Sequence, residues 1–163
     1  MNTPKQLLEK CIEQYNQLKE DEPVLKQVYE MVEAINSKPF RDWDMNELSR
    51  MAGEISVIMV NLGQLVSDKT LEADASYIYR KAKESAHFIE FKKTEDTVAE
   101  AENRVELEVM GEREQQLRAE YEANTLKSLY KNLDRIVSVI QSRMKTYDSE
   151  KVQTHLQNEV VNI

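Results

Sequence analysis

The chain has 163 residues and a formal charge of −8; 32% of its residues are charged and only 7% are aromatic. This length allows one domain with a core of its own. The single cysteine, Cys11, excludes an intrachain disulfide and is interpreted as a buried apolar residue. No stretch approaches the roughly 20 apolar residues that a membrane span needs. Because three Gly and three Pro stand among many helix formers, we predict an all-α fold within a single domain, residues 1–163, as a long-helix hairpin or bundle with coiled-coil character.

Short helices are predicted in the N-terminal part, residues 1–43. The first should begin at Pro4, because Thr3 and Gln6 have the spacing of a capping box. The second should begin near Pro23, since proline suits the first turn of a helix.

A loop and an aromatic anchor should close this part. Residues 36–39 combine Asn, Ser, Lys and Pro, which predicts a loop. Trp43 is interpreted as a buried anchor that plugs the end of the core together with Phe40. Asp44 and Glu47 then have the spacing of a second capping box, which predicts the start of a long helix.

Long helices should occupy residues 44–149, with residues 150–163 as a frayed or disordered tail. The polar residues 67–70 shift the apolar pattern and predict a break or kink. Thr94 is the expected N-cap of the last helix, and Gly111 is the expected bend within it. Between the break and Thr94, the apolar stripe resumes with Leu71, Ala75, Ile78, Ala82, Ala86 and Ile89.

A heptad seam marks the C-terminal third of the chain. Its residues alternate spacings of four and three, and an α-helix brings such positions to one face. We predict that the seam assembles the subunits of a homo-oligomer or closes a helical hairpin. It consists of Leu126, Tyr130, Leu133, Val137, Ile140, Met144 and Tyr147.

Charge is unevenly distributed along the last helix. Residues 95–122 contain ten acids and three bases, a net charge of −7, whereas residues 123–147 contain five bases and one acid, a net charge of +4. One interpretation is a solvated face with pairs inside the helix. The other is an antiparallel or head-to-tail packing in which acidic and basic segments meet.

Signatures of catalysis and of metal binding are missing from the sequence. There is no Gly-rich phosphate loop, no G-x-S-x-G turn, no H-E-x-x-H and no C-x-x-C. Glu84 and His87 have the Glu-x-x-His spacing of di-iron bundles, but such a site needs this motif twice. We therefore expect a protein that is not an enzyme and that has neither a metal nor a cofactor.

Basic and aromatic residues are interleaved between Tyr77 and Lys93. Lys and Arg pair with phosphates and aromatic rings stack on bases, so this mixture suits single-stranded nucleic acid. The alternative is that the aromatic residues belong to the core and the lysines are simply solvated. The candidate contacts to single-stranded DNA are Arg80, Lys81, Lys83, Lys92, Lys93, Tyr79 and Phe91, followed in second rank by Arg143 and Lys145.

Two segments carry a resemblance to a known family. The first is Tyr-Arg-Lys-Ala-Lys at residues 79–83, and the second is residues 133–143, where an aliphatic face precedes a Ser-Arg pair. With the helical pattern of residues 71–153, they resemble the UvsY-like recombination mediators of tailed phages. The resemblance implies a ring-forming, non-enzymatic protein that binds single-stranded DNA and helps to load a recombinase in place of the single-strand-binding protein.

Two functions follow as hypotheses. The first is a homo-oligomeric, phage-type accessory protein of DNA recombination or replication that contacts single-stranded DNA and a recombinase or single-strand-binding protein. The second is an acidic protein–protein adaptor, or an inhibitor of a host nucleic-acid-binding defence complex, whose residues 95–122 meet a basic cleft. Either function places the protein in the cytoplasm, which is the host cytoplasm if a phage encodes it.

Overall fold

The structure is a computed structural model that describes residues 3–18, 22–39, 42–94 and 97–161, with side chains up to residue 149. Most of these residues are helical, and no strand occurs among them, so the predicted all-α fold is confirmed. No helix in the described ranges combines the length and the apolar character that crossing a bilayer requires. The helices are α1 (Pro4–Leu18), α2 (Pro23–Asn36), α3 (Met45–Phe91), α4 (Val98–Glu108) and α5 (Met110–Val161).

The first and third helices begin at the predicted capping boxes. The Thr3 side chain accepts the backbone N–H of Gln6 at 3.3 Å, and the Thr3 N–H donates to the Gln6 side chain at 2.8 Å. Asp44 and Glu47 form the equivalent two bonds, at 2.8 and 2.9 Å. These bonds satisfy backbone donors that the first turn of a helix leaves without intrahelical partners. Pro23 occupies the first turn of α2, as predicted.

Two compact units divide the chain. Unit 1 consists of residues 1–63 and 127–163, and unit 2 consists of residues 64–126. The boundaries therefore fall inside α3 and α5, and not near residue 43, where the sequence changes from short to long helices.

Unit 1 contains most of the large buried apolar side chains. Trp43 is buried, and its Nε1 donates to the Lys38 carbonyl at 3.2 Å, so the predicted anchor is confirmed; Phe40 lies outside the described residues. Cys11 is also buried, and burial raises the pKa of its thiol to about 12, which makes it an inert apolar residue. The largest fully buried side chains of this unit are Leu25, Ile35, Leu48, Ile55, Leu62, Leu129, Leu133, Ile136 and Ile140.

Unit 2 has a thinner interior made largely of small residues. One buried cluster contains Phe91 with Ala101, Val105 and Val109, and Phe88 packs against it. A second buried cluster contains only alanines, Ala73, Ala119 and Ala123. Because small side chains bury little area, polar contacts between α3 and α5 make up more of the contact in this unit.

The predicted break at residues 67–70 was wrong, because α3 runs through it. Polar side chains of this segment form hydrogen bonds within the helix. Thr70 Oγ1 donates to the Val66 carbonyl at 2.7 Å, and Gln64 Nε2 donates to Asp68 Oδ1 at 3.0 Å. Polar residues that bond within the helix shift the apolar pattern without ending the helix.

The start and the bend predicted for the last helix also lie elsewhere. The capping box is formed by Thr97 and Glu100 at the start of α4, and not by Thr94. The interruption falls at Val109, between α4 and α5, whereas Gly111 lies within α5. Val109, and not a glycine, occupies this interruption, and its side chain is buried in the Phe91 cluster.

Candidate nucleic-acid and assembly surfaces

The first-rank residues predicted to contact DNA lie in the second half of α3 and just after it, in unit 2, and two of them are tied to α5. Arg80 bonds the Glu84 carboxylate one turn further along α3, and its Nε donates to Gln116 Oε1 of α5. Lys83 forms an ion pair with Glu112 of α5. Both cations would have to leave carboxylate partners before they could bind a phosphate.

These pairs shift the pKa of the groups involved. The hydrogen bond from Lys83 lowers the pKa of Glu112, and the same bond raises the pKa of Lys83. A hydrogen bond from Lys81, with the charge of Arg80, lowers the pKa of Glu84. A hydrogen bond to the charged form of a group favours that form. The pairs therefore stabilise folded unit 2 when all partners are charged.

Acids of residues 95–122 form ion pairs between helices, but the described pairs are not with the basic residues 123–147 that one interpretation of the charge pattern predicted. The acids of the described interhelical ion pairs in unit 2 come from α5, but the bases come from α3 and not from residues 123–147. In addition to the pair formed by Lys83, Lys69 Nζ lies 3.7 Å from Glu122 and 3.3 Å from Glu72.

The other three predicted cations, of which Lys81 lies in α3 and Lys92 and Lys93 just after it, are exposed. Lys81 Nζ lies 2.8 Å from Glu84, and Lys92 Nζ lies 5.8 Å from the centre of the Phe88 ring. Lys93 follows at the end of the helix and is also exposed. Exposed ion pairs contribute little to stability, so these three side chains can turn toward a phosphate at small cost.

The two predicted stacking residues differ in exposure. Tyr79 is 55% exposed, with Lys83 Nζ 5.4 Å from the centre of its ring. Phe91 is buried: the His87 ring stacks on it at 5.6 Å, and the Arg104 guanidinium lies 4.6 Å from its ring centre. Tyr79 can stack on a base, whereas Phe91 is a packing residue, so the prediction of DNA contact is corrected there.

The predicted seam residues of α5 pack inside the chain. Leu126, Leu133 and Ile140 are at most 1% exposed, and so are Leu129 and Ile136, which the predicted seam omitted. The remaining seam residues are only half-buried: Tyr130, Val137, Met144 and Tyr147. The buried face is thus offset from the predicted one, and its most buried side chains are unavailable to a second copy.

The apolar stripe of α3 faces solvent instead of a core. We call Leu71, Ala75, Ile78, Ala82, Ala86 and Ile89 the α3 stripe; all six are exposed. Leu71, Ile78 and Ile89 are 68%, 66% and 60% exposed. Single exposed apolar residues are common, but a row along one face of a helix is typical of a face that packs against another helix.

Acidic side chains cover much of the surface of α4. Glu102, Glu106 and Glu108 are exposed, and Arg113 Nη1 lies 3.0 Å from Glu106. Unit 2 has fifteen acids and nine bases, so its net charge of −6 accounts for most of the −8 of the chain. The second-rank candidates, Arg143 and Lys145, lie on α5 in unit 1, half-buried and exposed respectively.

We expect acid to weaken the Lys83–Glu112 ion pair, and we expect the variant Glu112→Gln to show a weaker dependence of stability on pH. The pKa of Glu112 is lower in the folded protein than in the unfolded chain, where it is about 4.3. The ionised carboxylate therefore stabilises the fold above that unfolded pKa, and this stabilisation is lost as the pH falls through the folded pKa. The melting temperature should therefore fall below about pH 5, and less steeply in Glu112→Gln. Circular dichroism between pH 3 and 8 measures this.

The exposed Glu114 of the same helix gives the control variant, Glu114→Gln. Its melting temperature should follow the pH dependence of the wild type. If Glu112→Gln and Glu114→Gln gave the same pH profile, the interhelical pair would not contribute to stability.

Among the described residues, no group of three or more His, Cys, Asp or Glu side chains is arranged to hold a metal ion. Comparison with known proteins gave no match to a family model, to a curated protein or to a solved structure.

Proposed function

We propose that this protein is a non-enzymatic, homo-oligomeric accessory protein of DNA recombination or replication. The observation that carries the assembly part is the α3 stripe, with its six exposed apolar residues at spacings of three and four. Each square ångström of apolar surface removed from water contributes about 25 cal/mol, so covering three large side chains and three alanines favours association with a further helix. The partner to which we commit is a second copy of α3.

The α3 stripe fits a second copy in an antiparallel arrangement. Large and small side chains alternate along its first four residues, so Ile78 of one copy can pack over Ala75 of the other, and Leu71 over Ala82. The same register places Asp74 of each copy beside Lys81 of the other on the flank of the contact, which allows two ion pairs between the copies. Size and charge are therefore both complementary in one register.

The DNA part of the proposal is supported by the resemblance to the UvsY-like mediators and by the exposed side chains of α3. Lys81, Lys92 and Lys93 are accessible to phosphates, and Tyr79 is accessible to a base. The protein partner would be a recombinase or a single-strand-binding protein.

Mass in solution, measured by light scattering with and without oligo(dT), tests this function. We expect a mass that is a multiple of 19.1 kDa, and a complex with oligo(dT) whose log affinity falls linearly with log salt. The proposal would be refuted if the protein stays a 19.1 kDa monomer at about 100 μM and binds no oligo(dT) in low salt. That concentration is far above the dissociation constants of typical specific complexes.

The second candidate is the acidic adaptor or inhibitor of a nucleic-acid-binding complex, and the acidic surface of α4 favours it. Lysine substitutions at Glu102 and Glu108 should abolish function if this candidate is correct. Glutamate substitutions at Lys92 and Lys93 should abolish function if the DNA accessory role is correct. Each pair of substitutions is the control for the other, because both reverse two exposed charges in unit 2.

A further inference from the structure

A groove in unit 1 contains cations that the structure leaves without carboxylate partners. It lies between α1 and the second part of α5 and has a volume of about 460 Å³. Lys10 of α1 and Lys131 and Arg135 of α5 line it, and all three are exposed. Within the part of the chain that the structure describes, none of the three forms an ion pair, unlike Arg80 and Lys83 of unit 2.

The rest of the groove is polar and nearly uncharged. Glu13 is its one carboxylate, so the lining has three positive charges and one negative charge. Amide and hydroxyl side chains supply the remaining surface, and they include Asn132, which is buried and donates to Gln14 Oε1 at 3.0 Å. A lining of this kind disfavours an apolar ligand and suits a hydrated anion.

The cations of α5 are spaced to follow a chain of anions. Lys127, Lys131 and Arg135 are each four residues apart, so they share one face and rise about 6 Å per step along the helix. This distance is comparable with the separation of successive phosphates in an extended single strand. Lys, Arg, Ser, Asn and Gln side chains are also those that bind phosphate and sugar oxygens in nucleic-acid complexes.

We propose that this groove binds the phosphate backbone of single-stranded nucleic acid. The inference rests on the DNA role proposed above, but it moves the main phosphate contact from α3 to α1 and α5. No aromatic residue lines the groove, so the groove itself offers neither base stacking nor base readout, and binding there should be insensitive to sequence.

Fluorescence anisotropy of labelled oligo(dT) over a salt series tests the proposal. Each phosphate contact to a single strand contributes about −0.7 to the slope of log affinity against log salt, so contacts from Lys10, Lys131 and Arg135 predict a slope of about −2. In the double variant Lys131→Gln with Arg135→Gln, we expect the slope to become shallower by about 1.4 and the affinity at low salt to fall at least tenfold, which is about 1.4 kcal/mol.

The matched control is Lys26→Gln with Arg50→Gln, which removes the same charge from exposed positions of unit 1 outside the groove. It should bind oligo(dT) within about twofold of the wild type, which is within about 0.5 kcal/mol. Arg135→Lys keeps the positive charge and should keep most of the slope. The variant sites are exposed, and circular dichroism checks that each variant is folded.

The possible failures are distinguishable. If the double variant Lys131→Gln with Arg135→Gln binds like the wild type while a variant with Lys92→Gln and Lys93→Gln loses affinity, the groove inference is overturned and the DNA role stands. If the wild-type protein does not bind oligo(dT) even in low salt, both are overturned. Tighter binding of a poly-glutamate peptide than of oligo(dT), lost in the double variant, would show that the groove accepts an acidic protein segment instead.

Discussion

Replacing Leu133 by alanine should lower the free energy of unfolding by about 2–5 kcal/mol. Leu133 lies on α5 in unit 1 and is 1% exposed, so the substitution removes buried methyl groups and leaves a cavity that its neighbours fill only in part. Such a loss is a large fraction of the 5–15 kcal/mol that separates folded from unfolded domains. Urea unfolding followed by circular dichroism at 222 nm measures the effect.

Leu117→Ala is the matched control for this measurement. It makes the same chemical change on the same helix, but Leu117 is 57% exposed, so we expect a change of no more than about 0.5 kcal/mol. A loss for Leu133→Ala as small as that for Leu117→Ala would mean that the buried face of α5 is not the one described. The same comparison separates a packing role for the heptad residues from a role in assembly alone.

Local chemistry made the helix starts predictable from the sequence. A capping box involves residues three apart, so the bonds between Thr3 and Gln6, and between Asp44 and Glu47, need no information from the rest of the fold. The burial of Cys11 was predictable for a similar reason, because its position on the apolar face of α1 is set by helical spacing.

Periodicity identified apolar faces but not what covers them. The stripe from Leu71 to Ile89 was identified and is exposed, while the buried face through Leu129 and Ile136 was missed. The predicted and the buried faces share Leu126, Leu133 and Ile140 and differ only in whether the next residue is taken four or three positions later. Both choices suit a helix, because 3.6 residues per turn lie between three and four. Only the positions of neighbouring helices decide between them.

Ion pairs between residues far apart in the chain could not be predicted from the sequence either. Lys83 and Glu112 are 29 residues apart in sequence, so a window around the basic segment shows an excess of bases that the folded unit does not present. The groove in unit 1 was also unpredictable, because its walls join residues far apart in the chain. They include Gln14 and Asn132, which are 118 residues apart. No local motif could have indicated that surface.

Introducing a charge at Ile78 should separate the copies if the α3 stripe is the assembly surface. Ile78 is 66% exposed in one chain, and in the proposed antiparallel register it packs over Ala75 of the second copy. Ile78→Glu would bury two symmetry-related carboxylates without partners. We therefore expect the dissociation constant between the copies to rise at least tenfold, which is at least about 1.4 kcal/mol. Sedimentation across a concentration series measures this change.

The control is Leu107→Glu, the same kind of substitution at a 72% exposed position of α4 away from the stripe. Leu107→Glu should unfold at nearly the wild-type temperature because its site is exposed, whereas Ile78→Glu should lose the stabilisation that association gives the folded state. If Ile78→Glu alone shifts the mass toward 19.1 kDa, the α3 stripe is the contact between copies. If both variants keep the wild-type mass, assembly uses another face, since an unpaired charge at the centre of an apolar contact could not leave the association constant unchanged.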